Sequence, residues 1–303
     1  MSRSNFKIFD IMDKPDYDKI KKSKVTVIGC GAIGSNVLES FARMGILKLI
    51  GIDDALISDK DSYNHIIALD NNLYEPKALE TKKRLFRINQ NVYFLPKVIA
   101  IDEYNAKFEL ENNDLIISTV PNIELNLILE ETCDELNIPL IIANINKDKS
   151  YITSQFPGDY NFESYTDYID DIYEEEFGTI KPPYSIPYIS SFIIHETIKI
   201  LLNKGNNLQN KLLISNMENY ETQLVITSEI ENDDDEENSD EILEIPEYTT
   251  RDKQKEVDNC ISKVSDDNTI DKIHNLSLDT KIQNSDKEKN ETDNESIDYY
   301  IEH

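Results

Sequence analysis

The sequence predicts an α/β fold, a doubly wound and mostly parallel sheet with helices on both faces and antiparallel strands added at its C-terminal end. Three observations predict it. Short apolar runs alternate with segments of helical periodicity through the first half of the chain. The first unit, Val25 to Asp53, places Gly29, Gly31 and Gly34 at G-x-G-x-x-G spacing between a strand and a helix. The last apolar runs, Lys211–Ser215 and Thr222–Thr227, flank a polar turn at Asn216–Glu221 and read as an antiparallel pair.

The elements follow in order. Val25–Ile28 is a buried strand, Ile33–Met44 a helix, and Lys48–Ile52 a second strand that leads into an irregular stretch through Asn72. Pro76 suits the first turn of a helix running to Asn89. Val92–Val98, a short helical piece near Asn105–Glu111 and the strand Leu115–Val120 come next, then a helix over Ile123–Asn137 and the apolar run Pro139–Ile145. Tyr151–Phe156 reads as a strand. Gly158–Pro183 is acidic, tyrosine-rich and poorly periodic, which predicts a loop or lid. Ile186–Leu202 has apolar residues at helical spacing, and the folded part is expected to end near Ser228.

The glycine turn carries the most chemistry. One glycine makes a tight turn, one lets the backbone approach a phosphate, and the third lets the helix pack close to the strand. Asp53, nineteen residues past the last glycine, is placed to take a ribose hydroxyl. The helix N-terminus offers unpaired N–H groups to an anion. This is the Rossmann-like nucleotide arrangement.

Charge is unevenly spread. Residues 229–303 hold 25 acids against 8 Lys/Arg, so most of the net charge of −28 lies there. With few apolar residues, this tail is expected to be disordered, serving solubility or partner binding through Ile242–Ile245 and Ile297–Ile301. Such a negative surface argues against nucleic acid or an anionic membrane as principal partner. No apolar run approaches spanning length and the start has no signal-peptide core. Three scattered cysteines, Cys30, Cys133 and Cys260, predict a reducing compartment rather than a disulfide framework, so a cytoplasmic protein is expected.

The order of motifs over roughly residues 5–228 resembles the ThiF/MoeB/HesA family, the ubiquitin-activating-enzyme-like adenylyltransferases. The resemblance rests on Gly29-Cys-Gly-Ala-Ile-Gly-Ser35, on Ile52-Asp53-Asp54 and on Glu75-Pro76-Lys77 heading a helix that ends Arg87-Ile-Asn89. Asn137-Ile-Pro-Leu-Ile-Ile142, the helix Ile189–Leu202 and the closing strands Lys211–Thr227 complete it. It implies a ThiF-like nucleotide-binding domain over 1–228 that uses ATP with Mg²⁺ and activates the C-terminal carboxylate of a small, often ubiquitin-like, protein or peptide as an acyl-adenylate. It further implies that Gly29, Gly31, Ala32, Gly34 and Ser35 form the phosphate-side turn. Asp53 and Asp54 would stand at the ribose, Asn64 and Asn122 would line the nucleotide site, and Lys77 would be the catalytic cation against phosphate. A homodimer through the long late helix, whose apolar positions exceed one packed face, is also implied.

The departures are specific. Asn64 stands where the family carries a phosphate-gripping arginine, and Pro121 where it carries a Mg²⁺-linked aspartate. Only Arg3 and Lys7 lie near the start, where the family supplies an arginine across its dimer. Without paired Cys-x-x-Cys motifs, the structural zinc of many members is not expected. Asp54, Asp59 and Asp61 are the alternative metal carboxylates. These departures keep a catalytically silent, peptide- or subunit-binding member as an alternative, and the ribose acid Asp53 keeps a nicotinamide-dependent oxidoreductase as another.

Other residues are weighed the same way. Cys30 lies inside the turn, where a helix N-terminus would lower its thiol pKa or where it simply fills a small space. Cys133 reads as core. No cysteine in Gly158–Pro183 suits a thioester-forming nucleophile. His65 is either a phosphate-side donor or a loop histidine, and His195 reads as a structural residue among Phe192, Ile193, Ile194 and Ile198. Tyr160, Tyr165, Tyr168 and Tyr173 are loop packing residues or a peptide-binding surface.

Overall fold

The computed structural model describes residues 12–158, 162–173 and 181–226. The acidic tail, Arg3, Lys7, Tyr160 and Thr227 lie outside them. A nine-residue helix, α1 (Lys14–Lys22), opens the described chain. It is absent from the sequence expectations, being short and lysine-rich. Asp13 caps it by accepting the Asp16 N–H at 2.9 Å, and Ile20 is buried. Then follow β1 (Lys24–Ile28), α2 (Ala32–Met44), β2 (Lys48–Ile52) and a 3-10 turn at Asp59–Tyr63. Next are α3 (Lys77–Ile88), β3 (Tyr93–Lys97), α4 (Ala106–Leu110), β4 (Leu115–Ser118), α5 (Ile123–Leu136) and β5 (Leu140–Asn146). The last elements are β6 (Lys149–Gln155), α6 (Thr166–Tyr173), α7 (Ser185–Leu202), β7 (Lys211–Asn216) and β8 (Glu221–Ile226).

The eight strands form one sheet in the order β3-β2-β1-β4-β5-β6-β7-β8. β3 to β5 along that order are parallel, and the β5–β6, β6–β7 and β7–β8 pairs are antiparallel. The predicted doubly wound sheet with C-terminal antiparallel additions is therefore present. Strand alternation sorts side chains to two cores. Val25, Val27, Leu115 and Ile117 face a layer of α1, α2, α3 and α7, while Ile28, Ile116, Leu140 and Ile142 face α4, α5 and α6. α7 packs on α1, α2, β5 and β6, while its Tyr188, Phe192, Ile194, Ile198 and Ile200 are only partly buried. Its outward residues Pro187, Ser191 and His195 are exposed, which corrects the expectation of a core His195.

Gly158–Pro183 also differs from the expected loop, since it contains a 3-10 turn at Glu163–Tyr165 and α6. Phe162, Tyr165 and Ile169 are fully buried against α5 and β5–β6, each worth about 1.5–3 kcal/mol relative to exposure. Anchors of that size hold a helix whose sequence is otherwise acidic. Tyr168 is exposed, so only Tyr165 of the two described tyrosine side chains is a packing residue. Cys133 is core, as expected.

Candidate functional site

The strand order reverses between β1 and β4, and a crevice at the C-terminal ends of these strands is where open α/β sheets take ligands. The β1–α2 turn forms one wall. Gly29 holds φ at +88°, and a Cβ on Gly34 would meet the Gly29 carbonyl oxygen at 1.8 Å, so α2 packs onto β1 only with glycine there. A Cβ on Gly31 would meet nothing within 4 Å, so that glycine borders open space. Ala32 begins α2, and Ser35, buried in its first turn, donates its hydroxyl to the Ala32 carbonyl at 3.4 Å.

Asp53 follows β2 and is clamped. One carboxylate oxygen accepts the Cys30 N–H at 2.7 Å and the other the Ala55 N–H at 2.8 Å. Burial raises its pKa, offset in part by the Ala55 N–H, the Lys77 charge and the Cys30 N–H. A carboxylate has about four lone-pair sites, so room remains for a hydroxyl donor. Cys30 is held on both sides, because its carbonyl accepts from His65 Nε2 at 2.9 Å. His65 is buried, and its pKa falls to about 4, chiefly through burial and then through the Lys77 charge. With Nε2–H spent on a carbonyl, Nδ1 is an acceptor, and it is buried with no partner. The Cys30 thiol fills the space beneath Gly51, and burial followed by the Asp53 charge pushes its pKa well above the ordinary value. The helix N-terminus therefore does not activate it.

Lys77 reaches this group because α3 starts against the segment after β2. The Lys77 N–H donates to the Ala55 carbonyl at 3.0 Å, and Pro76 sits at the N-cap rather than in the first turn. The Lys77 ammonium bonds Asp61 at 2.9 Å, with both side chains 15% exposed. Burial pushes Asp61 up, but the Ser58 N–H and the Lys77 ammonium more than offset it, and its pKa is lowered.

The remaining sequence-predicted residues scatter. Asp54 is exposed. Asn64 donates its amide to the Lys181 carbonyl at 2.8 Å. Asn122 caps α5 by accepting the Leu125 N–H at 2.8 Å, and Pro121 beside it is exposed. Thus the glycine turn, Asp53 and Lys77 converge, while Asn64 and Asn122 have structural bonds of their own. Sequence reasoning missed the Asp61 partner of Lys77 and the arrival of Lys181. An acid within the irregular stretch gave a signal for the first. For the second there was only a lysine before Pro182-Pro183, where the chain must run extended. Among the described residues no group of three His, Cys, Asp or Glu could hold a metal, and no helix is long and apolar enough to cross a membrane.

Known proteins resemble this chain in sequence and in fold. A Xenopus laevis protein, adenylyltransferase and sulfurtransferase MOCS3, is 28% identical over 126 residues, spanning 42% of this chain and 28% of its own length. The molybdopterin-synthase adenylyltransferase of Haemophilus influenzae is 24% identical over 213 residues, covering 67% of this chain and 86% of that protein. The chain thus covers most of the bacterial relative but little more than a quarter of the frog one. In fold, it is similar to the crystal structure of E. coli MccB with AMPCPP and MccA, at a TM-score of 0.62 and 20% identity over 70% of this chain and 66% of that one. The model of the ThiF family matches residues 3–237, and with the glycine turn, Asp53 and the strand order already in place, the chain belongs to the ThiF family.

Proposed function

We propose that this chain binds ATP at the switch-point crevice and adenylylates the C-terminal carboxylate of a small protein or peptide. The observation that carries this reading is the open Gly31 turn with Asp53 and Lys77 drawn to the same edge of the sheet. Adenosine would lie toward Asp53 and the phosphates over Gly31–Ser35, where α2 N–H groups point outward. In the reaction a carboxylate oxygen attacks the α-phosphorus, the bond from that phosphorus to the bridging oxygen breaks, and pyrophosphate leaves. Negative charge grows on the phosphates, and Lys77 would turn from Asp61 to meet it. Mg²⁺ would enter on the triphosphate. Such ions keep mostly phosphate and water ligands, so a three-carboxylate cage is not required. The relatives named as adenylyltransferases support the reaction class. Membership of the ThiF family removes the ground for the nicotinamide alternative.

A second reading, a silent member that binds a peptide or a sister subunit, is favoured by Pro121 and Asn64, which leave the crevice short of a carboxylate and a cation. Calorimetry and pyrophosphate exchange separate the two. Asp53→Ala is expected to weaken ATP, AMP and adenosine alike. Lys77→Ala is expected to weaken ATP by about 10- to 100-fold and adenosine little, as befits a lost charged hydrogen bond. Exchange that rises on joining Asn64→Arg to Pro121→Asp supports the catalytic reading. Failure of the unaltered chain to bind any adenine nucleotide at millimolar concentration removes it. The domain limits remain part of the proposal, with 1–228 folding alone and 229–303 dispensable for melting behaviour.

A further inference from the structure

We infer that Lys181 and Asn144 form a receiving site for the terminal carboxylate of the acceptor chain, at the far end of the crevice from Lys77. The inference rests on the adenylation reading for the identity of the acceptor, and on three features of this chain for the site.

Position comes first. Lys181 is joined through its carbonyl to Asn64, which follows β2, and through its ammonium to the Asn144 side chain on β5. β2 and β5 flank the β1–β4 switch point, so the lysine spans the crevice from one side to the other. Tyr184 fastens the same segment, its hydroxyl donating to Asp148 in the β5–β6 turn at 2.9 Å. With strands about 4.8 Å apart, β5 stands roughly 14 Å from β2, which carries Asp53 at its end.

Unmet bonding comes second. Asn144 is 1% exposed, and its Oδ1 accepts both the Lys181 ammonium and the Ile145 N–H. Two donors on one atom fix the amide orientation, so Nδ2 is the atom left over, and it is buried without a partner. The amide that holds the ammonium through Oδ1 therefore keeps an unmet donor in Nδ2.

Unmet charge comes third. Lys181 makes no ion pair among the described residues, and burial is the one cause that lowers its pKa, to about 7. A part-buried ammonium next to an unused amide is complementary to one oxyanion. Phosphate has its own place on the β1–α2 side, beside Lys77. The β5 side then takes the carboxylate that must approach the α-phosphorus, and a chain end fits a part-buried position because it enters end-on.

The test uses the full chain without nucleotide. It is immobilised and offered a mixed-sequence peptide library with free C-termini alongside the same library amidated, and retention is read by mass spectrometry. The unaltered chain is expected to retain free ends about 10-fold over amidated ones, the gain of one charged hydrogen-bonded contact. Lys181→Gln is expected to bring that ratio to about one and Lys181→Arg to restore part of it. Asn144→Asp, which supplies an internal anion, is expected to abolish the preference while raising the melting temperature, a result that separates occupation of the site from misfolding. ATP affinity is expected to be unchanged in Lys181→Gln. Equal retention of both libraries by the unaltered chain overturns the inference. So does a Lys181→Gln chain that loses ATP as Lys77→Ala does, since the pair would then serve the nucleotide. A chain that prefers free ends yet binds no ATP keeps the carboxylate site and loses the adenylation reading.

Discussion

Lys77 and Lys181 reach the same edge of one sheet, yet their surroundings are opposite. Lys77 is half-buried and already paired with a carboxylate, Asp61, in a cluster that includes Asp53 and His65. Lys181 is equally half-buried but lies beside an amide, with no ion pair among the described residues. The difference teaches that charge at the two ends is set for different events. On the proposed reading, a phosphate arriving at the Lys77 end would displace an internal anion, so binding there would be a competition. At the Lys181 end the proposed anion would complete a pair that is open among the described residues.

The largest expected effect tests whether the shared frame exists. Gly34→Ala drives a Cβ into the Gly29 carbonyl and is expected to cost about 3 kcal/mol, a fall of roughly 6–12 °C in melting temperature for a domain of this size. Gly31→Ala, facing open space, is expected to change melting little while weakening ATP. Equal losses for the two would break the picture of one packed and one open glycine.

Lys181→Met sharpens the contrast through pH. The folded-state pKa of Lys181 is about 7, below the ordinary 10.5. Below about pH 7 both folded and unfolded states carry the charge, so the burial penalty is full; between the two values stability rises with pH. Removing the charge is therefore expected to raise the melting temperature by about 3–6 °C near pH 6, for a relief of roughly 1–2 kcal/mol, with the gain fading toward pH 10. Melting curves of both chains across that range check it, and a gain independent of pH would contradict an unpaired buried cation.

Asp61→Asn acts with the opposite pH sense and a smaller size. Its folded pKa lies below the ordinary 3.8, so its stabilisation is present above that value and lost as pH falls through the folded one. The variant is expected to lose about 1 kcal/mol near neutrality and almost nothing in acid, and to bind ATP a few-fold tighter if Asp61 competes for Lys77. Weaker ATP binding would instead assign Asp61 to the nucleotide's metal. His195→Ala, on the exposed stripe of α7, is expected to stay within about 0.5 kcal/mol of the unaltered chain.

Local rules made the frame legible from sequence. Strand and helix periodicities, the three glycines and the acid after β2 all act over a few residues, and each landed within a residue or two of its place. Asp53 was legible by its spacing from the turn, whereas Lys77 stood out only through the resemblance of Glu75-Pro76-Lys77 to the family motif. The failures share a cause. His195 sits in an apolar run, but which side of α7 faces water depends on α1 and α2. Gly158–Pro183 has little periodicity, and its Phe162, Tyr165 and Ile169 are buried among residues distant in sequence.

The sequence by itself determined the parallel sheet, its antiparallel closing strands and the glycine turn beside an acid, because these follow from periodicity and from backbone sterics. Only the tertiary structure decided how charge is balanced at the edge. Asp61 meets Lys77 across sixteen positions and Lys181 meets Asn144 across thirty-seven. Pairings of that kind depend on which strands are neighbours and on how deeply each group is buried, and neither is written in the spacing of any motif.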